Sequence, residues 1–271
     1  MDNSHLDPAN MTYFFPFEKT HDERAFDDYM HQHWADSFVY SCVYLIVVFG
    51  CQLYMAHRKR FELRPYLAFW SGVLAIFSIV GAIRTVPELI WSLSLGFEYS
   101  CCSSSYMGQG KVTSFWTYLF VVSKVFELGD TIFIVLRKQP LIFLHWYHHM
   151  SVLVYSWYSY SERISTGRWF IVMNYTVHSM MYSYYALRAM KYQFPKWVNM
   201  AITSLQLVQM MVGIVVNIVA FNALRSGREC DSSYQNIKYC MIMYFSYLVL
   251  FSHFFYTTYI VKKPAVHEKK H

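Results

Sequence analysis

The sequence contains few charged residues, few glycines and few prolines. Charged side chains make up 15% of its 271 residues, whereas soluble domains average about 25%. This shortage excludes a disordered chain, a solenoid of polar repeats and an ordinary cytosolic enzyme. Ten glycines and seven prolines exclude collagen-like and low-complexity chains. The sequence has no internal repeat and no linker long enough to separate two domains.

Hydrophobic residues account for 55% of the chain and aromatic residues for 20%, and they are concentrated in seven blocks. Each block is close to twenty residues long, the length at which a helix crosses about 30 Å of hydrocarbon. A backbone that faces lipid must satisfy its own hydrogen bonds, which favours helices. We therefore predict an all-α polytopic membrane protein with seven transmembrane helices. The blocks are residues 37–56, 66–86, 114–136, 141–160, 168–187, 199–221 and 238–261.

Lysine and arginine are unevenly divided between the two sides of these spans. Thirteen lie on one side and eight on the other, and the positive-inside rule places the richer side in the cytosol. We therefore predict a cytosolic basic tail at 262–271 and a lumenal acidic tail at 1–36, flanking a seven-span domain at 37–261. The acidic tail lacks the apolar core of a cleavable signal peptide. Because the cations edge the spans instead of forming one groove, we do not expect nucleic acid as a partner.

Two further features fit that orientation. Asn10 begins an Asn-x-Thr glycosylation sequon in the predicted lumenal tail. Cys101, Cys102 and Cys230 lie in the two longest loops on the same side. An oxidising lumen favours a disulfide from Cys230 to either Cys101 or Cys102, although free thiols are also compatible with the sequence.

Polar and ionisable side chains interrupt the third to sixth spans. A charged residue inside a span costs roughly 2.5–3.5 kcal/mol on insertion scales, so such residues indicate a functional site. They also have structural interpretations: an ion pair eases the insertion of Lys124, amide and hydroxyl stripes hydrogen-bond between helices, and tyrosines lie at membrane interfaces. The polar set comprises Lys124, Glu127, Asp130, Thr131, His145, His148, His149, Asn174, His178, Tyr182, Tyr185, Thr203, Gln206 and Gln209.

The histidines are the hardest of these residues to explain by packing. At 100° per residue, His145, His148 and His149 fall within about 100° of arc on one helix face, and His178 lies on the next span. Imidazole is a common metal ligand, which keeps a single zinc site or a metal-dependent lipid oxidase or hydroxylase open. Di-iron desaturases use several histidine boxes, however, and this chain has one. Imidazole also serves as a nucleophile or general base. A seven-span receptor or transporter would explain the topology without chemistry.

Four polar motifs follow one another on four successive spans. They are Lys-x-x-Glu-x-x-Asp-Thr from Lys124, the histidine box from His145 to His149, Asn-x-x-Val-His-x-x-Met-Tyr-x-Tyr-Tyr from Asn174, and Thr-x-x-Gln-x-x-Gln from Thr203. In order and in every motif position they resemble the ELO family of fatty-acid elongases. The resemblance covers 37–261, and the residues around the histidine box are most similar to a branch acting on saturated and monounsaturated chains around palmitate.

The resemblance implies a condensing enzyme of the endoplasmic reticulum membrane. Such an enzyme joins a long-chain acyl-CoA to malonyl-CoA, releases carbon dioxide and CoA, and yields a 3-oxoacyl-CoA. It implies six helices in an inverted barrel around an acyl tunnel, with the first helix packed outside. No metal and no cofactor beyond the two CoA substrates is implied. The implied partners are membrane lipid and a separate 3-oxoacyl-CoA reductase, dehydratase and enoyl reductase, and a homo-oligomer stays open.

The polar cluster contains no cysteine, so we expect an imidazole to replace the thiolate of soluble ketosynthases. His148 is the expected nucleophile and would hold the acyl group as an acyl-imidazole. His178, with His145 or His149, is expected to assist the decarboxylation of malonyl-CoA and to stabilise the enolate.

The other motif residues are expected to bind substrate. Asn174, Gln206 and Gln209 are candidates to position the thioester carbonyl or the CoA arm. The CoA phosphates are assigned to cations near one side of the membrane. These cations are Lys124, Arg137, Lys138, Arg188 and Lys191, and the remaining substrate-binding candidates are Glu127, Asp130, Thr131, Tyr182 and Tyr185.

Overall fold

A computed structural model describes residues 15–19, 22–108 and 112–261. Within these residues the chain is helical, without strands. The sequon at Asn10 and the basic tail at 262–271 lie outside them. The helices are α1 Pro16–Lys19, α2 Glu23–His33, α3 Asp36–Ala56, α4 Arg64–Ser94, α5 Phe97–Cys102, α6 Val112–Glu127, α7 Gly129–Leu136, α8 Phe143–Ser161, α9 Gly167–Ala189, α10 Lys196–Arg225 and α11 Tyr234–Phe255, which continues as a π-helical turn at Tyr256–Ile260.

Helices occupy all seven predicted blocks. Among the described residues, four are long and apolar enough to cross a membrane by length and composition: α3, α4, α10, and α11 with its π-helical turn. The other three blocks correspond to α6 with α7, to α8 and to α9. α6 and α7 are each shorter than a span, and α8 and α9 carry four histidines and the buried Arg168, which lower their hydropathy. The described residues thus form an all-helical fold with four candidate membrane spans.

Six of the helical blocks pack neighbour against neighbour in a closed ring. α4 contacts α9, which contacts α10, followed by α11, α8 and α6, and α6 returns to α4. α3 packs against α7 and α8 from outside this ring. The interior of the ring therefore receives side chains from every motif-bearing helix.

The third block was predicted as one helix, and this prediction is wrong because the helix breaks at Leu128. A Cβ atom at Gly129 would lie only 2.8 Å from the indole ring of Trp70. The missing side chain lets Trp70 lie against the backbone of α7 and donate a hydrogen bond of 2.7 Å to Asp130. The break therefore accommodates a contact between α4 and the polar interior.

The two ends of the bundle differ, and we name them by their contents. The disulfide face carries α1, α2, α5 and the loops at 162–166 and 226–233, including the disulfide between Cys102 and Cys230. The basic face carries the loops at 57–63, 137–142 and 190–195. Cys101 stays reduced and fully buried. Burial raises the pKa of its thiol to about 11, so it does not compete for the disulfide as a thiolate.

Buried ion pairs close the disulfide face. Arg168 is fully buried and forms two hydrogen bonds with the Glu88 carboxylate, of 2.8 and 2.9 Å. Glu18 of α1 accepts hydrogen bonds from Arg84 and from the Trp116 indole. The acidic tail predicted at 1–36 thus continues into helices that pack on the bundle, where α2 contacts α6 and α8.

Candidate active site

The four histidines of the polar cluster face the interior of the ring. The imidazole centroids of His145 and His149 lie 4.5 Å apart, and those of His148 and His149 lie 5.5 Å apart. The i, i+3 and i+4 spacing on α8 explains this grouping, because such residues share one helix face. His178 projects from α9 and lines the same cavity as the other three.

Two cavities meet at this cluster. A polar cavity on the basic-face side is lined by all four histidines together with Asp130, Asn174, Tyr182, Tyr185, Gln206 and Gln209. An apolar cavity runs from there toward the disulfide face, between α6, α8, α9, α10 and α11. Four residues line both cavities: His148, Asn174, Gln209 and Met210. The junction therefore places one imidazole between a polar chamber and an apolar slot.

A chain of buried polar contacts supports His178. Lys124 donates hydrogen bonds of 2.8 Å to Glu127 and 2.9 Å to the Asn174 carbonyl oxygen. The Asn174 amide nitrogen lies 3.1 Å from Nε2 of His178, and Nδ1 of His178 lies 3.8 Å from Glu127. An amide nitrogen can only donate, so Nε2 accepts and this pattern assigns the proton to Nδ1.

The structure does not support the predicted contact of Lys124 with CoA phosphates. Lys124 is 2% exposed and Glu127 is 3% exposed, and neither lines the polar or the apolar cavity. A charge so deeply buried is stable only when paired, and Glu127 is its partner. Both residues belong to the support behind Asn174 and His178, out of reach of a substrate at the basic face.

Asp130 and Thr131 hold other parts of the site in place. Asp130 accepts hydrogen bonds from the Trp70 indole and, at 2.7 Å, from the Tyr182 hydroxyl. Thr131 is fully buried, and its hydroxyl lies 3.0 Å from Nε2 of His145 and 2.7 Å from the Tyr44 hydroxyl. Thr131 was predicted to bind substrate, but it is not among the residues that line the polar cavity. It orients the His145 ring instead.

The remaining predicted cations lie at the basic face, away from the lining of the polar cavity. Arg137 and Lys138 border a separate surface depression with Arg58, Lys59 and Arg60. The Lys138 ammonium donates to the carbonyl oxygens of Ala56 and Arg58. Arg188 is exposed in the last turn of α9. The structure thus keeps these cations on the expected side without bringing them into the histidine cluster.

Sequence reasoning missed the contribution of α11 to the site. The Tyr247 hydroxyl donates to the His148 carbonyl oxygen at 3.3 Å and lies 2.7 Å from the Ser151 hydroxyl. Its ring centroid lies 4.8 Å from that of the His148 imidazole. The seventh block has the sequence of an ordinary apolar span. Nothing in that sequence distinguishes Tyr247 from the other aromatic residues of the block.

The donor groups do not form a metal-binding set. Among residues 15–19, 22–108 and 112–261, no three His, Cys, Asp or Glu side chains are arranged to hold a metal ion. Nε2 of His178 is engaged by Asn174 and Nε2 of His145 by Thr131.

The fold and the cavities define a helical membrane protein that encloses a histidine-lined polar site joined to an apolar slot. Residues 29–267 match the sequence model of the ELO: GNS1/SUR4 family. The chain belongs to this family.

Curated relatives resemble the chain over most of its length. It is 50% identical to "Very long chain fatty acid elongase 6" of Drosophila melanogaster over 264 residues, which cover 96% of this chain and 83% of the relative. It is 48% identical to the Homo sapiens protein of the same name over 249 residues, covering 92% and 93%. It is also 47% identical to "Putative fatty acid elongase 3" of Caenorhabditis elegans over 264 residues, covering 96% and 82%.

Proposed function

We propose that this chain condenses a long-chain acyl-CoA with malonyl-CoA to give a 3-oxoacyl-CoA, carbon dioxide and CoA. Its family and its elongase-named relatives make it a condensing enzyme of fatty-acid elongation. The observation that carries the mechanism is the position of His148, the one member of the histidine cluster that lines both cavities. A thioester whose acyl chain fills the apolar slot and whose CoA arm occupies the polar cavity has its carbonyl beside this imidazole.

The first half-reaction transfers the acyl group to His148. The lone pair of its unprotonated ring nitrogen attacks the thioester carbonyl carbon, and the carbon–sulfur bond breaks. The sulfur leaves with the electron pair and takes up, as CoA thiol, the proton that the other ring nitrogen of His148 loses. The product on the enzyme is an acyl-imidazole. Asn174 and Gln209 line the junction beside His148, where their amide groups are available to the developing oxyanion.

The second half-reaction forms the new carbon–carbon bond. Malonyl-CoA enters the polar cavity and loses its carboxylate as carbon dioxide, and the electrons of the broken bond become the enolate of acetyl-CoA. The enolate carbon attacks the acyl carbon, and His148 departs with its electron pair and takes up one proton from water to regenerate the neutral imidazole. His178 is oriented by Asn174 and His145 by Thr131, so both present fixed rings to the enolate.

The architecture supports a seven-span topology in the endoplasmic reticulum membrane. We infer that α6 with α7, α8 and α9 cross it in the company of the four more apolar helices. The basic face then lies in the cytosol, where CoA is available, and the disulfide face lies in the oxidising lumen. Turnover by this scheme needs no resident metal or organic cofactor, and it leaves reduction and dehydration to separate enzymes.

The test uses purified protein in detergent with palmitoyl-CoA and labelled malonyl-CoA, without NADPH and with EDTA. We expect labelled 3-oxoacyl-CoA from the unchanged protein. His148→Ala is expected to abolish both product and the acyl adduct seen by intact-protein mass spectrometry. His253→Ala is the matched control, because His253 is exposed on α11 and lines neither cavity.

Each outcome decides between the candidate functions. Unchanged CoA release by His148→Ala would contradict the nucleophile assignment. Bound iron or zinc, together with an oxidised lipid product that EDTA abolishes, would favour the metal-dependent oxidase. No product from folded protein with any acyl-CoA between C12 and C22 would favour a receptor or transporter.

A further inference from the structure

The apolar cavity ends at a short segment between α5 and α6. Tyr106 and Met107 line it there, next to Ile164 of the loop between α8 and α9 and Gly167 at the start of α9. Both side chains are almost completely buried, at 4% and 5% exposure. They lie at the end of the cavity toward the disulfide face, opposite the end at which His148 joins the polar cavity.

We propose that Tyr106 and Met107 form the floor of the acyl slot and set the longest acyl chain that the protein accepts. This inference rests on the proposed function, because it gives the apolar cavity an acyl chain as its occupant. It assigns specificity to a loop that carries none of the four sequence motifs.

The depth of the slot follows from the helix that forms its wall. The α8 side chains that line it recur every three or four residues from His148 to Tyr160, so the slot follows one face of this helix. Twelve residues of α-helix rise about 18 Å. With carbon–carbon bonds of about 1.5 Å, an extended chain advances about 1.25 Å per methylene, so the slot holds about fourteen methylenes.

The floor is rigid because three loops are tied together beneath it. The disulfide between Cys102 and Cys230 joins the segment to the loop between α10 and α11. Asp231 of that loop accepts hydrogen bonds of 2.8 and 2.7 Å from the backbone and hydroxyl of Ser104. Arg163 donates at 2.9 Å to the Met107 carbonyl oxygen. A chain that is too long therefore cannot push the segment aside without breaking several contacts.

Tyr106 is locked in its orientation. Its hydroxyl donates a hydrogen bond of 2.8 Å to the Ile164 carbonyl oxygen, and a Cβ atom at Gly167 would collide with the same hydroxyl. Behind the Tyr106 ring lies the buried pair of Arg168 and Glu88, with the guanidinium 5.2 Å from the ring centroid. Placing hydrocarbon next to that ion pair is unfavourable in free energy, so the Tyr106 ring marks a fixed end of the slot.

Met107 is the adjustable part of the floor. It belongs to a buried apolar cluster that includes Met30, Trp157 and Tyr160. Shortening its side chain therefore opens volume lined by apolar side chains at the end of the slot.

The experiment measures turnover and binding across acyl-CoA lengths from C12 to C22. Binding is measured as thermal stabilisation by acyl-CoA thioether analogues, which lack the reactive carbonyl. We expect Met107→Ala to raise the ratio of kcat/KM for the acyl chain two carbons above the native optimum to that for the optimum about tenfold, since each methylene in a pocket changes selectivity about 10–200-fold. Met55→Ala is the control, because Met55 is similarly buried, at 2% exposure, but lies in α3, which packs outside the ring.

A second variant tests the floor in the opposite direction. Gly167→Ala drives the Tyr106 ring toward the slot and should shorten the accepted chain. Adding Tyr106→Phe to Gly167→Ala removes the colliding hydroxyl and should restore the native length profile at least in part. This pair keeps the inference testable if Met107→Ala fails to fold.

The two readouts separate this inference from the proposed function. A length limit in binding that shifts with Met107→Ala supports the floor even if no variant forms product, and that result would contradict the condensation reaction alone. Unchanged length profiles in binding and in turnover, for both Met107→Ala and Gly167→Ala, would overturn the floor.

Discussion

The most informative single contact is the ion pair between Lys124 and Glu127. Removing two charges from water into the interior of a bundle can cost more free energy than their mutual attraction returns. The presence of this buried pair therefore needs a reason. The structure supplies one: Lys124 also donates to Asn174, which in turn donates to His178. The pair thus fixes an amide, and the amide fixes a ring in the polar cavity.

Glu127→Gln should therefore damage stability and chemistry together. It leaves the Lys124 ammonium buried without its anion, and breaking a buried pair from one side costs about 3–5 kcal/mol. We expect a lower thermal unfolding midpoint in detergent and a lower kcat, with KM for acyl-CoA little changed because neither residue lines a cavity.

The control removes both charges. Glu127→Gln combined with Lys124→Met should recover most of the lost thermal stability, because no unpaired charge stays buried. Catalysis should stay low, since Asn174 no longer has Lys124 to hold its carbonyl. A double variant with full activity would show that the pair has no positioning role.

Motif spacing does not predict which motif side chains line the cavity and which lie behind it. The spacing predicted that Lys124, Glu127 and Thr131 belong to the functional cluster, and they lie behind it as buried supports. A motif does not reveal which side of a helix faces the cavity, because that depends on the packing of its neighbours. For the same reason Tyr247, which contacts His148 from α11, had no detectable signal.

At the scale of helices, the break between α6 and α7 controls how α4 reaches the site. Gly129→Ala should force the Trp70 ring away and remove its hydrogen bond to Asp130. Overpacking costs about 1–3 kcal/mol, and the partly buried carboxylate loses a donor. We expect a lower unfolding midpoint and reduced turnover.

Gly50→Ala is the matched control for that substitution. Gly50 lies inside α3, and nothing is within 4 Å of a Cβ atom placed there. Alanine has a higher helix propensity than glycine, so this variant should be neutral or slightly more stable. Equal effects of the two substitutions would mean that the Trp70 contact does not matter.

Hydropathy predicts where the helices lie, but it does not predict the break at Leu128 or the pairing of the cysteines. Every apolar block is helical, the third as two helices, since a helix satisfies its own backbone hydrogen bonds in lipid. The break at Leu128 escapes because neither Gly129 nor Trp70 alone signals it; only their contact does. The two candidate disulfides could not be separated either, because adjacent cysteines differ in direction, and the short helix α5 decides which one faces Cys230.

At the scale of the whole molecule, the two ends of the bundle have opposite character. The disulfide face is closed by a covalent bond, by the Arg168–Glu88 pair and by α1 and α2. The basic face is where the polar cavity lies and where cations collect. A closed apolar end and a polar end suit a substrate with a hydrocarbon tail and an anionic carrier.

This polarity leads to a prediction about membrane topology. If all seven helical blocks cross the membrane, Asn10 and the turn at Gly227 lie on the lumenal side, and the turn at Gln193 lies in the cytosol. Insertion of an Asn-x-Thr sequon at Gly227 should add one endoglycosidase-sensitive glycan in microsomes, and the same insert at Gln193 should add none. Asn10→Gln should remove the native glycan in both backgrounds.

Both turns lie in connections between helices, on opposite faces. Glycans at both inserts would mean that α10 does not cross the membrane, and a glycan at Gln193 alone would reverse the orientation and place the CoA-binding side in the lumen.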